Sequence, residues 1–314
     1  MRASGKKKKK EGLVAALTFK QTKEDIIFNV ITTVFVILGC FVIIYPIYFI
    51  LIASISNPDY VLSGQIIFWP KDISLGGYER IFNYSPIWVG YRNSILYSLF
   101  GAIISGAITL FVAYPISRQN FSGRKFITIF ILITMFFQGG LIPTYILVKS
   151  LHLRNTPFVL LFVNGINVMN VFIASSYFKS SNIESLYEAA QIDGCTHFGY
   201  FFKILLPIST PIVVVMLLFY GVWQWNDFFR AMIYIDKDSI QPLQTVLKDL
   251  LAINKVSNDT SELVSDYKAI EDMIRAAESM KYGIIIMATV PMLILYLLLQ
   301  KYFEQGITMG SVKG

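Results

Sequence analysis

The sequence predicts an all-α, polytopic membrane protein with six transmembrane helices, and three observations carry that expectation. Hydrophobic residues make up 55% of the 314 residues and charged ones only 15%, and mean hydropathy is +0.58, far from the balance of a soluble chain. Six apolar stretches are each long enough to cross a hydrocarbon core of roughly 30 Å as helix, the form in which a backbone satisfies its own polar groups in lipid. Lys and Arg are also distributed unevenly between the segments that connect those stretches.

Residues 1–26, which contain MRASGKKKKKEG, read as a basic cytosolic tail lying near anionic headgroups. A signal peptide does not fit: the apolar run begins only near Ile26, is too long for an h-region and lacks a small-residue cleavage site. No nucleic-acid partner is expected from the Lys run, given the spans that follow it. The spans lie near 27–54, 88–115, 126–148, 157–178, 204–225 and 282–302. An even number puts both termini on one side. With the N-terminus inside, segments 1–26, 116–125, 179–203 and 301–314 hold 15 Lys and Arg against 7 Asp and Glu, and the outer segments hold 12 and 13. More than half of that outer basic charge sits in one long loop, 226–281, which weighs little in the rule. Both termini are therefore expected in the cytosol, with 303–314 as a short C-terminal tail. Cys40 and Cys195 read as ordinary small residues rather than a disulfide framework.

The connection 179–203 is the largest internal cytosolic loop and is oddly polar. In EAAQIDGCTHFGYFFKILLP, Glu188, Ala189 and Ala190 favour helix and Gly194 permits a sharp bend. A second helical segment is expected through Tyr200 to Leu205, with Pro207 in the first turn of the fifth span. The expected product is a short helix outside the membrane, rigidly joined by a turn to a transmembrane helix.

The pattern Glu188-Ala189-Ala190, three residues, Gly194, nine residues, Ile204, one residue, Leu206-Pro207 resembles the EAA motif of permease subunits of ATP-binding-cassette (ABC) importers, the binding-protein-dependent transport system inner membrane components. The resemblance covers nearly the whole chain from about Ile26. FQGGLIPTYILVKSLHLRNT at 137–156, YGVWQWNDFFRAMIYI at 220–235, QPLQTVLKDLL at 241–251 and the ending KYFEQGITMGSVKG resemble the carbohydrate-uptake branch, particularly its complex-oligosaccharide importers. Two departures are small: Cys195 stands where that branch usually has Ala after Asp-Gly, and His197 falls where polar residues vary.

The resemblance implies a type I ABC importer permease fold in the bacterial cytoplasmic membrane. It makes the short helix a coupling helix that docks on an ATPase subunit, with Glu188, Ala189, Ala190, Asp193, Gly194 and Pro207 as the coupling residues. The implied partners are two ABC ATPase copies, a second and unlike six-span permease, an extracellular sugar-binding protein or lipoprotein, an oligosaccharide substrate and the lipid bilayer. No G-x-x-x-x-G-K-[ST] sequence is present, so nothing in the chain matches the phosphate-cradling loop of such ATPases. No cofactor is expected in this chain; ATP and Mg belong to the partner.

Catalytic residues are also lacking. His152 and His197 are placed on opposite faces of the membrane, no Cys/His cluster has metal-ligand spacing, and no paired carboxylates sit within the spans. The near absence of intramembrane Asp, Glu and His argues against a proton-coupled transporter. Two competing classes remain open: a membrane-embedded, glycosyltransferase-like enzyme, with Asn226-Asp227 as its nearest acidic candidate, and a non-transport membrane scaffold.

Several polar residues are candidates for a substrate path. Asn164, Asn167 and Asn170 in VNGINVMN share an arc of about 120° on a continuous helix. Either they line a path for sugar hydroxyls or they hydrogen-bond between packed spans. Gln138 has the same two readings; beside it Gly139 and Gly140 allow close helix approach or a local break, and Pro143 adds a kink. Tyr220, Trp223, Gln224, Trp225, Asn226 and Asp227 combine aromatic faces with amide and carboxylate acceptors, as a sugar site would; the alternative is a belt of boundary anchors. In the outer loop, where acidic residues outnumber basic ones ten to seven, two amphipathic helices are expected, the second exposing a face of Leu263, Ile270, Met273, Ile274 and Ala277. That loop either docks the sugar-binding protein or caps the bundle. In the tail, Gly306, Gly310 and Gly314 mark either close backbone approach to the ATPase or a frayed end.

Overall fold

The computed structural model describes residues 22–163, 165–250 and 267–311, with side chains described over 22–163, 165–250 and 275–300. No β-strand forms among the described residues; the one extended pairing is a single antiparallel bridge between Ser56 and Ile73.

Helix α1 (Lys23–Ser54) starts on a capping box. The Thr22 hydroxyl accepts from the Asp25 N–H, and the Asp25 carboxylate accepts from the Thr22 N–H at 2.9 Å, which satisfies two of the donors a helix start leaves free. Only Ile52, Ala53 and Ser54 of α1 are buried. A helix this long and apolar on every side is one that lipid or a partner covers, not its own chain. Two short helices follow, α2 (Pro58–Leu62) and α3 (Gly76–Asn83), before the central helix α4 (Ser85–Ser117).

Helix α4 has 33 residues, about 50 Å of helix, and the other elements gather around it. Small residues recur along its buried side, among them Ser94, Ser98, Gly101, Ser105, Thr109 and Ala113. Small residues let helices approach closely in a setting where packing and interhelical hydrogen bonds drive association. Against that side lie α8 (Val168–Phe178) and α12 (Thr210–Trp225).

Three of the expected spans are interrupted, the third at the glycines read as allowing close approach or a local break. The third is split into α5 (Arg124–Phe136) and α6 (Leu141–Ser150), which meet at 111° across residues 137–140. The fourth is split into α7 (Phe158–Phe162) and α8, with non-helical backbone at 165–167. The fifth begins only at Thr210, after an 82° bend at Ser209. Pro207 does not open that span; Pro211 occupies its first turn, where a missing N–H costs nothing. By length and composition three described helices can cross a membrane, or up to five if each bent pair is one span.

After α12 come α13 (Phe229–Tyr234), a 3₁₀ turn at Asp238–Ile240 and a helix α14 at 243–250. The last helix, α15 (Tyr267–Ser311), is longer than its expected span at both ends. Its first two turns and more were expected as a separate loop helix, and its end occupies most of what was expected as a tail. Residues 251–266, with Leu263, lie outside the described residues, as do the tail at 1–21, Asn164, Gly314 and the side chains of Ile270, Met273 and Ile274. Ala277 is partly buried.

Buried apolar residues form three clusters. One joins Ala113 and Ile116 at the C-terminal end of α4 to Val171 and Phe178 of α8 and to residues 183–205. A second sits at the opposite end of α4, where Ile87 meets Ile81, Trp225, Leu243 and Ile284. The third packs Tyr97 on Val148, Val159, Leu160 and Tyr234.

Candidate coupling site

The polar stretch singled out above forms α9 (Ser181–Ile192). Its apolar residues Ile183, Tyr187 and Ala190 fall at i, i+4 and i+7, one face of a helix, and all three are buried in the first cluster. The opposite face presents Glu188, Ala189, Gln191 and Ile192 to the outside, with Ile192 88% exposed. The EAA triplet thus divides between faces: Ala190 packs inward, and Glu188 and Ala189 face outward.

The helix ends in a closed cap. Asp193 is the C-cap, Gly194 follows at φ +69, its N–H donates to the Gln191 carbonyl, and the Cys195 N–H reaches back to the Ala190 carbonyl at 2.9 Å. These are the two bonds of the Schellman motif, and the left-handed conformation at its centre suits glycine best. Beyond it, Thr196 caps α10 (His197–Tyr200) by accepting from the Gly199 N–H, a π-helical turn covers Phe201–Leu205, and α11 (Leu206–Ile208) leads to the Ser209 bend. π-turns strain the regular ladder and occur often at functional sites. The expected rigid joint between the short helix and the fifth span is therefore a π-turn followed by a sharp bend.

Side chains fasten α9 to its neighbours. Arg118, the C-cap of α4, donates to Glu184 at 3.0 Å, to the Phe178 carbonyl at 2.6 Å and to the Ser117 hydroxyl at 3.0 Å. Its guanidinium lies over the Tyr187 ring at 4.7 Å. The Tyr200 hydroxyl donates to the Ile183 carbonyl at 3.2 Å. Burial pushes the Tyr200 phenol above its ordinary value, nearby Glu184 and Tyr187 add to the rise, and Arg118 opposes it, so the hydroxyl keeps the proton it donates. Gln191 donates to the Tyr187 hydroxyl at 2.8 Å.

Several of the candidate path residues pack along α4, from Trp225 near its N-terminal end to Gln224 at Gly101 and Tyr220 at Thr109. Gln224 is buried, donates to the Leu160 carbonyl at 2.5 Å and accepts from Arg230. A Cβ on Gly101 would sit 2.6 Å from the Gln224 amide nitrogen, so this glycine makes room for the glutamine. Arg230 also pairs with Asp227, donates to the Val163 carbonyl and lies over the Trp223 ring at 4.1 Å. Trp225 is buried and donates to the Ala288 carbonyl at 3.0 Å. Tyr220 is buried, shares a hydrogen bond of 2.6 Å with Thr109 and accepts from the Asn167 N–H at 3.0 Å.

These contacts tie Tyr220, Gln224 and Trp225 to neighbouring helices and Asp227 to Arg230 three residues on. Asn167 is not on a helical stripe: it is the N-cap of α8, accepting from the Met169 and Asn170 N–H groups. Asn170 lies partly buried in the first turn of α8, Asn226 is exposed and bonds back to the Val222 carbonyl, and Gln138 is exposed in the break of the third span. Arg118 and Arg230 are the buried, multiply bonded residues that sequence reasoning missed. Their signal was present in AYPISRQ and WNDFFRAM: a lone cation at the edge of an apolar run is retained only when its donors find partners.

Comparison with known proteins decides the family. The chain is 33% identical over 289 residues to the polygalacturonan/rhamnogalacturonan transport system permease protein YtcP of Bacillus subtilis (strain 168), covering 92% of this chain and 99% of that one. The chain belongs to the carbohydrate-uptake family of ABC importer permeases. Protein LplC of the same organism is 31% identical over 297 residues, covering 95% of this chain and 98% of LplC. A chain in the crystal structure of a bacterial ABC transporter involved in the import of the acidic polysaccharide alginate superposes with a TM-score of 0.80 at 28% identity, over 91% of this chain and all of the other. A search of protein-family models finds no match. Nothing found supports the enzyme reading of this permease, and Asp227, its nearest acidic candidate, is held by Arg230.

Proposed function

We propose that this permease forms half of a translocation channel for an oligosaccharide delivered by an extracellular binding protein, paired with a second, unlike permease and driven by two ATPase subunits on the cytosolic side. Supporting the reading are the relatives, which belong to oligosaccharide and polysaccharide transport systems, and the charge bias, which favours both termini in the cytosol. ATP and Mg are used by the partner, and this chain supplies a path and a mechanical link.

The observation that carries the coupling role is the two-faced character of α9. One face is fixed into the bundle through Ile183, Tyr187 and Ala190, while Glu188, Ala189, Ile192 and Asp193 stand exposed on the other. A helix anchored on one side and open on the other is suited to receive a cleft of another protein. The outer loop 226–281 is assigned the docking of the binding protein, on its acidic excess.

ATP hydrolysis by the purified complex in lipid, with and without the sugar-loaded binding protein, tests the assignment. Gly194→Pro removes the N–H that meets Gln191 and cannot hold φ +69. The expected result is stimulation in the native complex and its loss in an assembled variant. Equal stimulation in both contradicts the coupling role of α9.

A further inference from the structure

Arg118 is 3% exposed and its three hydrogen bonds reach residues of three helices. Nε donates to Ser117 at the end of α4, Nη2 to the carbonyl of Phe178 at the end of α8, and Nη1 to Glu184 on α9. The faces of the guanidinium are covered too, by Tyr187 at 4.7 Å and Tyr114 at 5.6 Å. Glu184 and Tyr187 are i and i+3 on α9, so both grip the same side of that helix. A buried cation persists only where its donors are met, and the planar fork of arginine meets several acceptors at once, which lysine cannot do.

By contrast, the covalent route from α9 to the fifth span runs through a π-turn and an 82° bend at Ser209. Across that route stand backbone bonds, apolar packing and hydroxyl-to-carbonyl bonds from Tyr200 to Ile183 and from Thr210 to Pro207, but no ion pair among the described residues.

We propose that Arg118 is the positioning residue that fastens the coupling helix to the second and fourth spans, so that α9 and the ends of α4 and α8 move as one body while the Ser209 bend takes up the change of angle to the fifth span. The proposal rests on the reading of α9 as the ATPase-docking helix. Motion reaching α9 is then delivered first to the central helix of the bundle, with the fifth span following.

Arg118→Gln, Arg118→Lys and Glu184→Gln, each in the complete complex in liposomes with saturating loaded binding protein, test it through sugar accumulated per ATP hydrolysed. A general folding defect lowers uptake and hydrolysis together and leaves their ratio unchanged. Arg118→Gln is expected to lower the ratio roughly tenfold, within the usual range of site-to-site coupling; Arg118→Lys is expected to fall between it and the native complex. Glu184→Gln, which keeps an acceptor for Nη1, covers the case in which Arg118→Gln fails to assemble, and its ratio is also expected to fall. An unchanged ratio in assembled Arg118→Gln, or in Glu184→Gln where the former does not assemble, overturns the proposal. If the native chain brings no ATPase with it on purification, the docking role of α9 fails, and this proposal with it.

Discussion

Two buried arginines sit at different levels of the bundle, and each holds the terminal carbonyl of one half of the broken fourth span. Arg230 takes the carbonyl of Val163, the C-cap of α7, and Arg118 takes that of Phe178, the last residue of α8. Their other partners differ in kind. Arg230 is completed by Asp227 and Gln224, three and six residues away in the chain, whereas Arg118 is completed by Glu184, 66 residues away on a separate helix. The Val163 carbonyl is freed by the break within the span and that of Phe178 by the end of the span; each arginine meets one of these carbonyls, which a membrane protein must satisfy internally. Arg230 ties the fourth span to the end of α12 and to α13, whereas Arg118 joins the ends of α4 and α8 and adds α9, a helix outside the spans. The Arg230 network is thus a fixture beside the middle of α4, and the Arg118 network is a joint.

If that contrast holds, Arg230→Met carries the largest stability cost. It strands Asp227, whose side chain is 12% exposed, and frees the Val163 carbonyl, together worth about 3–5 kcal/mol. Thermal unfolding of the purified complex reads the loss, and sugar moved per ATP by the surviving protein is expected to stay at the native value. A fall in that ratio would erase the distinction between fixture and joint. Next in size is Gly101→Ala, which presses a methyl on the Gln224 amide and is expected to cost about 1–3 kcal/mol by overpacking, again in unfolding temperature. Tyr200→Phe removes a single hydrogen bond to Ile183 and is expected to cost about 1 kcal/mol. Because the folded-state value of Tyr200 is raised above the ordinary 10.0, that contribution is complete below pH 10.0 and is lost as pH rises through the raised value; unfolding followed against pH in native and variant protein checks the sign. The smallest effect belongs to Asp236→Asn. The Arg154–Asp236 pair has side chains 40% and 57% exposed, and its loss is expected to cost under about 1 kcal/mol.

Much of the architecture was legible in the sequence, and the parts that were not share a cause. Helix α9 was readable because a helix-favouring triplet and a glycine four residues beyond it state a local rule, and the Gly194 cap obeys that rule. Long apolar runs gave α1, α4 and the later part of α15 for the same reason. Gly139 and Gly140 left a break in the third span open, but those in the fourth and fifth were not readable as breaks, since apolar length says that a segment suits lipid and nothing about whether its helix is continuous. Asn167 shows the difficulty: a short amide reads as one point of a polar stripe, yet in the structure it leaves the helix to cap the next one. The pairing of Arg118 with Glu184 depends on two distant segments meeting, so composition pointed to a need for partners without saying which. Among the path candidates, Tyr220, Gln224 and Trp225 have the right chemistry for sugar and spend it on neighbouring helices.

Spin-label distances in the complete complex test the joint most directly, measured with and without bound ATP on a background in which Cys40 and Cys195 are replaced by Ser. One pair joins Gln119, at the end of α4, to Ser185 on α9; the other joins Ser185 to Phe219 on α12, all three positions being exposed. The expected result is a Gln119–Ser185 distance that ATP leaves unchanged and a Ser185–Phe219 distance that it shifts. The reverse pattern, with α9 fixed to α12 and moving against α4, would contradict the account.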